Sequence, residues 1–444
     1  MNIKTLLLFL LSAILLFLGF DRNQWRLVPA EAFGNFDKFS ESLVIGRLVW
    51  TGQRGFFADG ALLGTGDAPS AIIGEAEFDH QYKTYLDNKT FETYAIYKSQ
   101  SGGQAWFFSL LDSASPFASA ANLRLFRAFT SLLTAATLSA LIVWFYLQFG
   151  WPAALAVLLT SMISQWLTLF GRNLFYSVWD YFLPMAAALF LLDRESRGLS
   201  WGGMPSRQTP LDRTEFRFYL TVGALIFFKG FISGYDFLLP PMGMVATALV
   251  YYALKDKWTL AHFTRRLLLT GLACALGVLA SFVVLAAQIG PVTGNFSDGL
   301  LRILNTMGRR TFGAPFDPPA SDFFAAGQNS SLLAVIQTVA GKTAIVAGVR
   351  FIHIFWLFAA VTVLALLVLW LRRGKLGEPS AVRALLATLW ISFASPLAWL
   401  VVFKAHAYYH PFTTAIIWHM PSMFFGYALC GLFFTLFFRQ KSSP

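Results

Sequence analysis

Residues 401–412 read VVFKAHAYYHPF, and a span of seven positions holds Lys404, His406, Tyr408, Tyr409 and His410 between two long apolar runs. The chain has only six histidines, so two of them beside a lysine at the edge of an apolar run invite a chemical reading. A lysine cation together with imidazole and phenol donors suits a phosphate held at a lipid surface. In an extended segment the even-numbered residues would project to one side. Two alternatives stay open. His406 and His410, four apart, would place two metal ligands on one helix face, although Pro411 limits a helix here and no HExxH acid accompanies them. The third reading is an aromatic belt at the membrane interface.

A second group stands near the N-terminus, where Asp37, Glu41 and Arg47 lie within NFDKFSESLVIGRLVWTGQRGFF. Phe39, Leu43 and Leu48 recur at helical spacing up to a stop at Gly52 and Gly55, which predicts an amphipathic helix lying at the interface. The plain alternative makes its charged residues a solvated polar face. Further along, Tyr97, Lys98, Gln100 and Gln104 surround a glycine pair, and amides with tyrosines are groups that bind sugars. Arg124 and Arg127, three apart, share one helical face and suit a phosphate. Arg172, Asn173 and Asp180 fall in a short link, where acid and base could simply neutralise each other. Lys229 lies inside an apolar run with Asp236 as its nearest acidic partner, and Arg309 and Arg310 open a Gly- and Pro-rich stretch that reads as a lid.

Positioning these groups is the task of membrane-spanning helices. Hydrophobic residues make up 56% of the 444 and charged residues 13%, which describes an all-α polytopic membrane protein. Ten runs can be counted, near 4–20, 123–148, 152–170, 180–193, 217–233, 237–254, 266–288, 351–371, 384–403 and 412–437. The first resembles a signal peptide, and Ala30 with Ala32 leaves cleavage open. With the N-terminus cytoplasmic, Arg194, Arg197, Arg207, Arg213, Arg217, Lys255, Lys257, Arg265, Arg266, Arg372, Arg373, Lys375, Arg383, Arg439 and Lys441 all fall inside, as the positive-inside rule asks. C-terminal and N-terminal ends are then both cytoplasmic. Residues 21–122 and 289–350 become large outer, periplasmic loops of a single membrane domain spanning 1–444. Arg124, Arg127, Arg172, Lys229, Arg309, Arg310, Arg350 and Lys404 break the rule at the outer edge, where an anionic lipid head group would be their partner.

That same placement explains the net charge of +11 without nucleic acid. Cys274 and Cys430 sit in apolar runs without CxxC spacing and read as buried hydrophobes. No P-loop, dinucleotide fingerprint, GxSxG or zinc pattern occurs, so nucleotide-driven work is not expected. Three N-x-S/T triplets, at Asn88, Asn295 and Asn329, carry no weight.

One N-terminal span, an outer helix with an acidic residue, an arginine six positions later and then GQRGF resembles the opening of the GT-C superfamily of integral-membrane glycosyltransferases. The family often has paired acids where this chain has Ser40 and Glu41, so Glu41, Asp37 or Asp21 is left as the functional carboxylate. The resemblance implies about ten spans and transfer of a sugar from a polyprenyl-phosphate carrier to a glycan or lipid acceptor on the outer face. A carboxylate, Glu41 or Asp37, would take the acceptor's proton. Arg47, Tyr97, Gln100, Gln104, Arg124, Arg127, Arg172, Asn173, Lys404, His406, Tyr408 and His410 would bind substrate, the cations facing the phosphate as its charge grows. No metal ligands are assigned and no cofactor is required, while a divalent cation stays open. The setting is assembly of a bacterial cell-envelope polysaccharide at the inner membrane. A polysaccharide polymerase or ligase acting on lipid-linked oligosaccharides would use similar cations. A lipid-linked-glycan transporter is the third reading, against which stand the absence of an internal repeat and the large polar first loop.

Overall fold

Backbone amides in a bilayer have no partner but the chain itself, so apolar runs are expected to become helices. The computed structural model describes residues 2–68, 75–198, 213–313, 329–345, 348–371 and 379–438, and these are almost wholly helical. In chain order the helices that concern the site are α1 (Ile3–Arg22), α2 (Ala30–Arg54), α3 (Glu75–Leu86), α4 (Gly103–Ala114), α5 (Ser119–Phe149), α6 (Trp151–Met162), α7 (Gln165–Gly171), α8 (Trp179–Ser196), α9 (Arg213–Ser233), α10 (Leu239–Lys255), α11 (Leu260–Thr293) and α12 (Phe296–Phe312). One antiparallel clasp, β1 (Gly64–Gly66) on β2 (Tyr94–Ile96), lies within the first loop.

Among the described residues six helices are long and apolar enough to cross a membrane: Ile3–Arg22, Ser119–Phe149, Thr214–Ser233, Leu260–Thr293, Phe351–Leu371 and Ser380–Val402. A bent pair, Pro411–His419 with Ser422–Thr435, makes a seventh if counted as one span. This is consistent with an integral membrane protein, but it falls short of the ten runs counted in the sequence. Run 152–170 is broken after Met162, where Ser164 caps a new helix by accepting the Leu167 amide. Helix α8 carries Asp180, Asp193, Arg194 and Glu195, and α10 has 17 residues. Both lie inside the bundle, against each other and against α5 or α9.

Helix α2 forms where the apolar spacing places it and stops at Gly55, whose φ of +91° only glycine adopts without strain. Its polar face is not solvated as the sequence suggests. Asp37, Ser40, Glu41 and Arg47 are buried along with Val44, Ile45, Leu48 and Trp50. Gly46 lets it pack on β1, because a Cβ there would come within 2.2 Å of the Gly64 carbonyl.

At the opposite ends of α8, α9 and α11 the fully buried Arg266 pairs with both oxygens of Glu195, at 2.6 and 3.1 Å. The rings of Phe218, Tyr219 and Trp258 surround its guanidinium. This arginine is therefore a structural tie between helices and not an orientation signal alone. Arg207, Arg372, Arg373, Lys375, Arg439 and Lys441 lie outside the described residues, as does the lid stretch from 314 to 328.

Candidate functional site

Asp37 and Glu41 are one helical turn apart on α2, so both carboxylates face the same side. Two elements close over that side. The first is the N-terminal part of α5, whose Arg127 reaches Glu41 Oε2 through Nε at 3.0 Å and Nη2 at 2.6 Å. The second is the turn after α7. Its end is held to α5 by Thr134, which donates to the Gly171 carbonyl at 2.8 Å. Asn173 Oδ1 accepts the amides of Phe175 and Tyr176, and its Nδ2 donates to Ser40 Oγ at 2.6 Å. That closed turn aims Arg172 at Asp37, which it pairs through Nε at 2.8 Å and through Nη2, and brings the Leu174 amide to Glu41 Oε1 at 3.0 Å. Arg172 also donates to the Asp21 carbonyl and lies 3.8 Å over the Phe33 ring.

Tyr82 of α3 completes the group. Its hydroxyl donates to Glu41 Oε2 at 2.8 Å and accepts from Arg127 Nη2 at 3.0 Å. Burial and Glu41 push its pKa well up, so the phenol keeps its proton. The sequence reading passed over Tyr82, and only the apolar spacing of Phe78, Tyr82 and Tyr85 could have drawn attention to it.

The carboxylates are 1% and 0% exposed, and the arginines retain 18% and 16%. Burial and the neighbouring Glu41 raise the Asp37 pKa to about 6, against the lowering effect of Arg127 and Arg172. A cavity of about 750 Å³ opens beside this cluster. Phe36, Lys38 and Phe39 of α2 line it together with Phe78, Trp166 and Phe412.

The histidine segment belongs to a second cluster. Residues 404–409 are helical, not extended, so the even-numbered side chains do not share one direction. His406 and His410 lie with ring centroids 4.8 Å apart, and Tyr408 is exposed. Arg310 of α12 pairs with Asp236 and lies over the Tyr235 ring. Burial and Arg310 hold both imidazoles below their usual pKa, so at neutral pH they donate and accept hydrogen bonds but carry no charge. Tyr97, Gln100 and Gln104 border this cluster, since Arg310 and Asp236 act on Tyr97 and Gln104 bonds to Gln100.

The clusters share a wall. The Tyr176 ring stacks on Phe36 at 5.9 Å while Asp236 bears on its hydroxyl, and Phe39 lies 6.4 Å from Phe412. The structure thus brings the two segments singled out in the sequence to adjoining places, and it divides their charged groups into two sets.

Several expected roles change. Arg47 donates to the carbonyls of Phe56 and Ala58, at 2.6 and 2.8 Å, clamping the turn after α2. Arg124 is exposed and donates to its own helix at Ala120, whereas Arg127 is turned to Glu41. Arg172 and Asp180 do not neutralise each other: Asp180 accepts from Ser233. Lys229 donates to the carbonyls of Gly234 and Asp236, leaving the Asp236 carboxylate to Arg310. Arg127, Arg172 and Arg310 each have a carboxylate partner within the protein. Asp21 accepts Arg172 at its carbonyl, and its carboxylate faces Arg22. Among the described residues no three His, Cys, Asp or Glu side chains converge as a metal site. No protein-family model, no curated protein and no solved structure matches the chain.

Proposed function

We propose that the protein is an integral-membrane glycosyltransferase that moves a sugar from a polyprenyl-phosphate carrier to a glycan or lipid acceptor, on the periplasmic face of a bacterial inner membrane. The observation that carries this reading is the α2 carboxylate pair, held by arginines from two separate elements beside an aromatic-lined cavity. Glu41 is spent on four hydrogen bonds. Asp37, with its raised pKa, is the better proton acceptor, and general-base help of this kind is worth about a hundred to ten thousand fold.

In the transfer, Asp37 takes the acceptor hydroxyl proton as that oxygen bonds to the anomeric carbon. The bond from that carbon to the phosphate oxygen breaks, and polyprenyl phosphate leaves with the electron pair. Charge grows on the departing oxygen, so the partly exposed guanidinium groups of Arg127 and Arg172 stabilise it. The apolar cavity accepts part of the carrier chain.

The test is transfer from radiolabelled polyprenyl-phosphate sugars by purified wild type, Asp37→Asn and Glu41→Gln. Asp37→Asn should lose about a hundredfold or more in turnover. If neither substitution lowers turnover by at least about tenfold, the assignment of the base is wrong even where transfer is seen.

A further inference from the structure

Around the turn between α9 and α10, buried polar atoms lack partners. Gln104 Nε2 donates to the Phe175 carbonyl and to Gln100 Oε1, both at 3.2 Å. The carbonyl fixes which way the Gln104 amide faces, and Gln104 in turn fixes Gln100. Their remaining atoms, Gln104 Oε1 and Gln100 Nε2, make no hydrogen bond. The hydroxyl of Tyr235, which is 4% exposed, makes no hydrogen bond of good geometry, its neighbours being Ser99 and Thr306. Gln100 packs against Gly234, the residue before Tyr235, and Ser99, the residue before Gln100, lies by the Tyr235 hydroxyl, which brings these groups to one part of the fold.

Each such orphan costs about 1–3 kcal/mol when left dry. One acceptor, one amide donor and one hydroxyl lie beside a carboxylate and a guanidinium, Asp236 and Arg310, with the half-buried Tyr97 at the rim. Mixed donors and acceptors with aromatic faces match vicinal hydroxyls on a pyranose or furanose ring better than a bare anion or an apolar chain.

We infer that the Gln100, Gln104, Tyr235 and Asp236 cluster binds the hydroxyl groups of a monosaccharide unit, at a site separate from the α2 carboxylates. The choice of a sugar rests on the proposed glycosyl transfer; the unsatisfied cluster does not.

The experiment measures thermal unfolding of the purified full-length protein with glucose, galactose, mannose, N-acetylglucosamine or arabinose. At about ten times its Kd, a bound sugar should raise the midpoint by roughly 1–3 °C. Tyr235→Phe and Gln100→Met remove only unpartnered or weakly bonded groups, so both should fold, and both should lose the shift. Asp37→Asn should retain it. No shift with any sugar, or a shift kept in Tyr235→Phe and Gln100→Met, overturns the inference. A shift lost only in Asp37→Asn moves the sugar to α2 and overturns it equally. Failure of polyprenyl-phosphate transfer with the sugar shift intact would count against the proposed reaction and leave this site standing.

Discussion

The α2 cluster and the α9–α10 cluster contain similar groups and treat them differently. In the first, two carboxylates meet two arginines, a phenol, an asparagine and a backbone amide, and all four carboxylate oxygens are engaged. In the second, one carboxylate meets Arg310 beside two imidazoles held below their usual pKa, while two amide atoms are unpartnered. Full satisfaction rigidifies a polar network, whereas partial satisfaction leaves hydrogen-bonding capacity that something else must fill. The first cluster is thus preorganised for charge and the second is open to a ligand.

The largest expected effect tests whether the first cluster is as closed as its bonds imply. Arg127→Ala leaves Glu41 buried with its main counter-charge gone, and breaking a buried pair in this way costs about 3–5 kcal/mol. Thermal unfolding should show a large loss that Arg127→Ala with Glu41→Gln recovers in part. If the single variant unfolds like wild type, Glu41 is not held as described.

Next comes pH, which should separate the clusters. In the proposed reaction Asp37 would act as base only when ionised, and its pKa is raised to about 6. Transfer should therefore fall as pH drops through about 6, by up to about tenfold for each unit below. Burial and Arg310 hold the His406 imidazole well below its usual pKa. His406→Ala should then weaken donor use a few fold without altering the pH profile. A profile that flattens on removing His406 would assign the titration to the second cluster.

How much of this was legible in the sequence follows from distance along the chain. Helix α2, its stop near Gly55 and the shared face of Asp37 and Glu41 follow from local spacing. Their partners do not, because Arg172 and Arg127 lie 135 and 86 residues away. Pairing Arg172 with Asp180 took the nearest acid in sequence for the nearest in space. The extended reading of 404–410 overweighted Pro411. That proline begins a new helix, and only His410 before it leaves helical geometry, with φ −120° and ψ 52°. Hydropathy windows also counted α8 and α10 as equal to longer spans, since burial in protein and burial in lipid demand similar residues. Tyr82 was missed because a phenol on a polar-looking helix gives no sign of the carboxylate it will meet.

The smallest expected effect sharpens the boundary of the first cluster. Arg124 and Arg127 share a sequence signature, being three apart on one helix, yet Arg124 is exposed and bonds only to its own helix. Surface substitutions away from special features usually change stability by no more than about 0.5 kcal/mol. Arg124→Ala should fall within that range and leave transfer and its pH profile unchanged, in contrast to Arg127→Ala. A loss of transfer with stability intact would mean that Arg124 meets the substrate from the membrane side, and the cationic surface would then extend past the two arginines that hold the carboxylates.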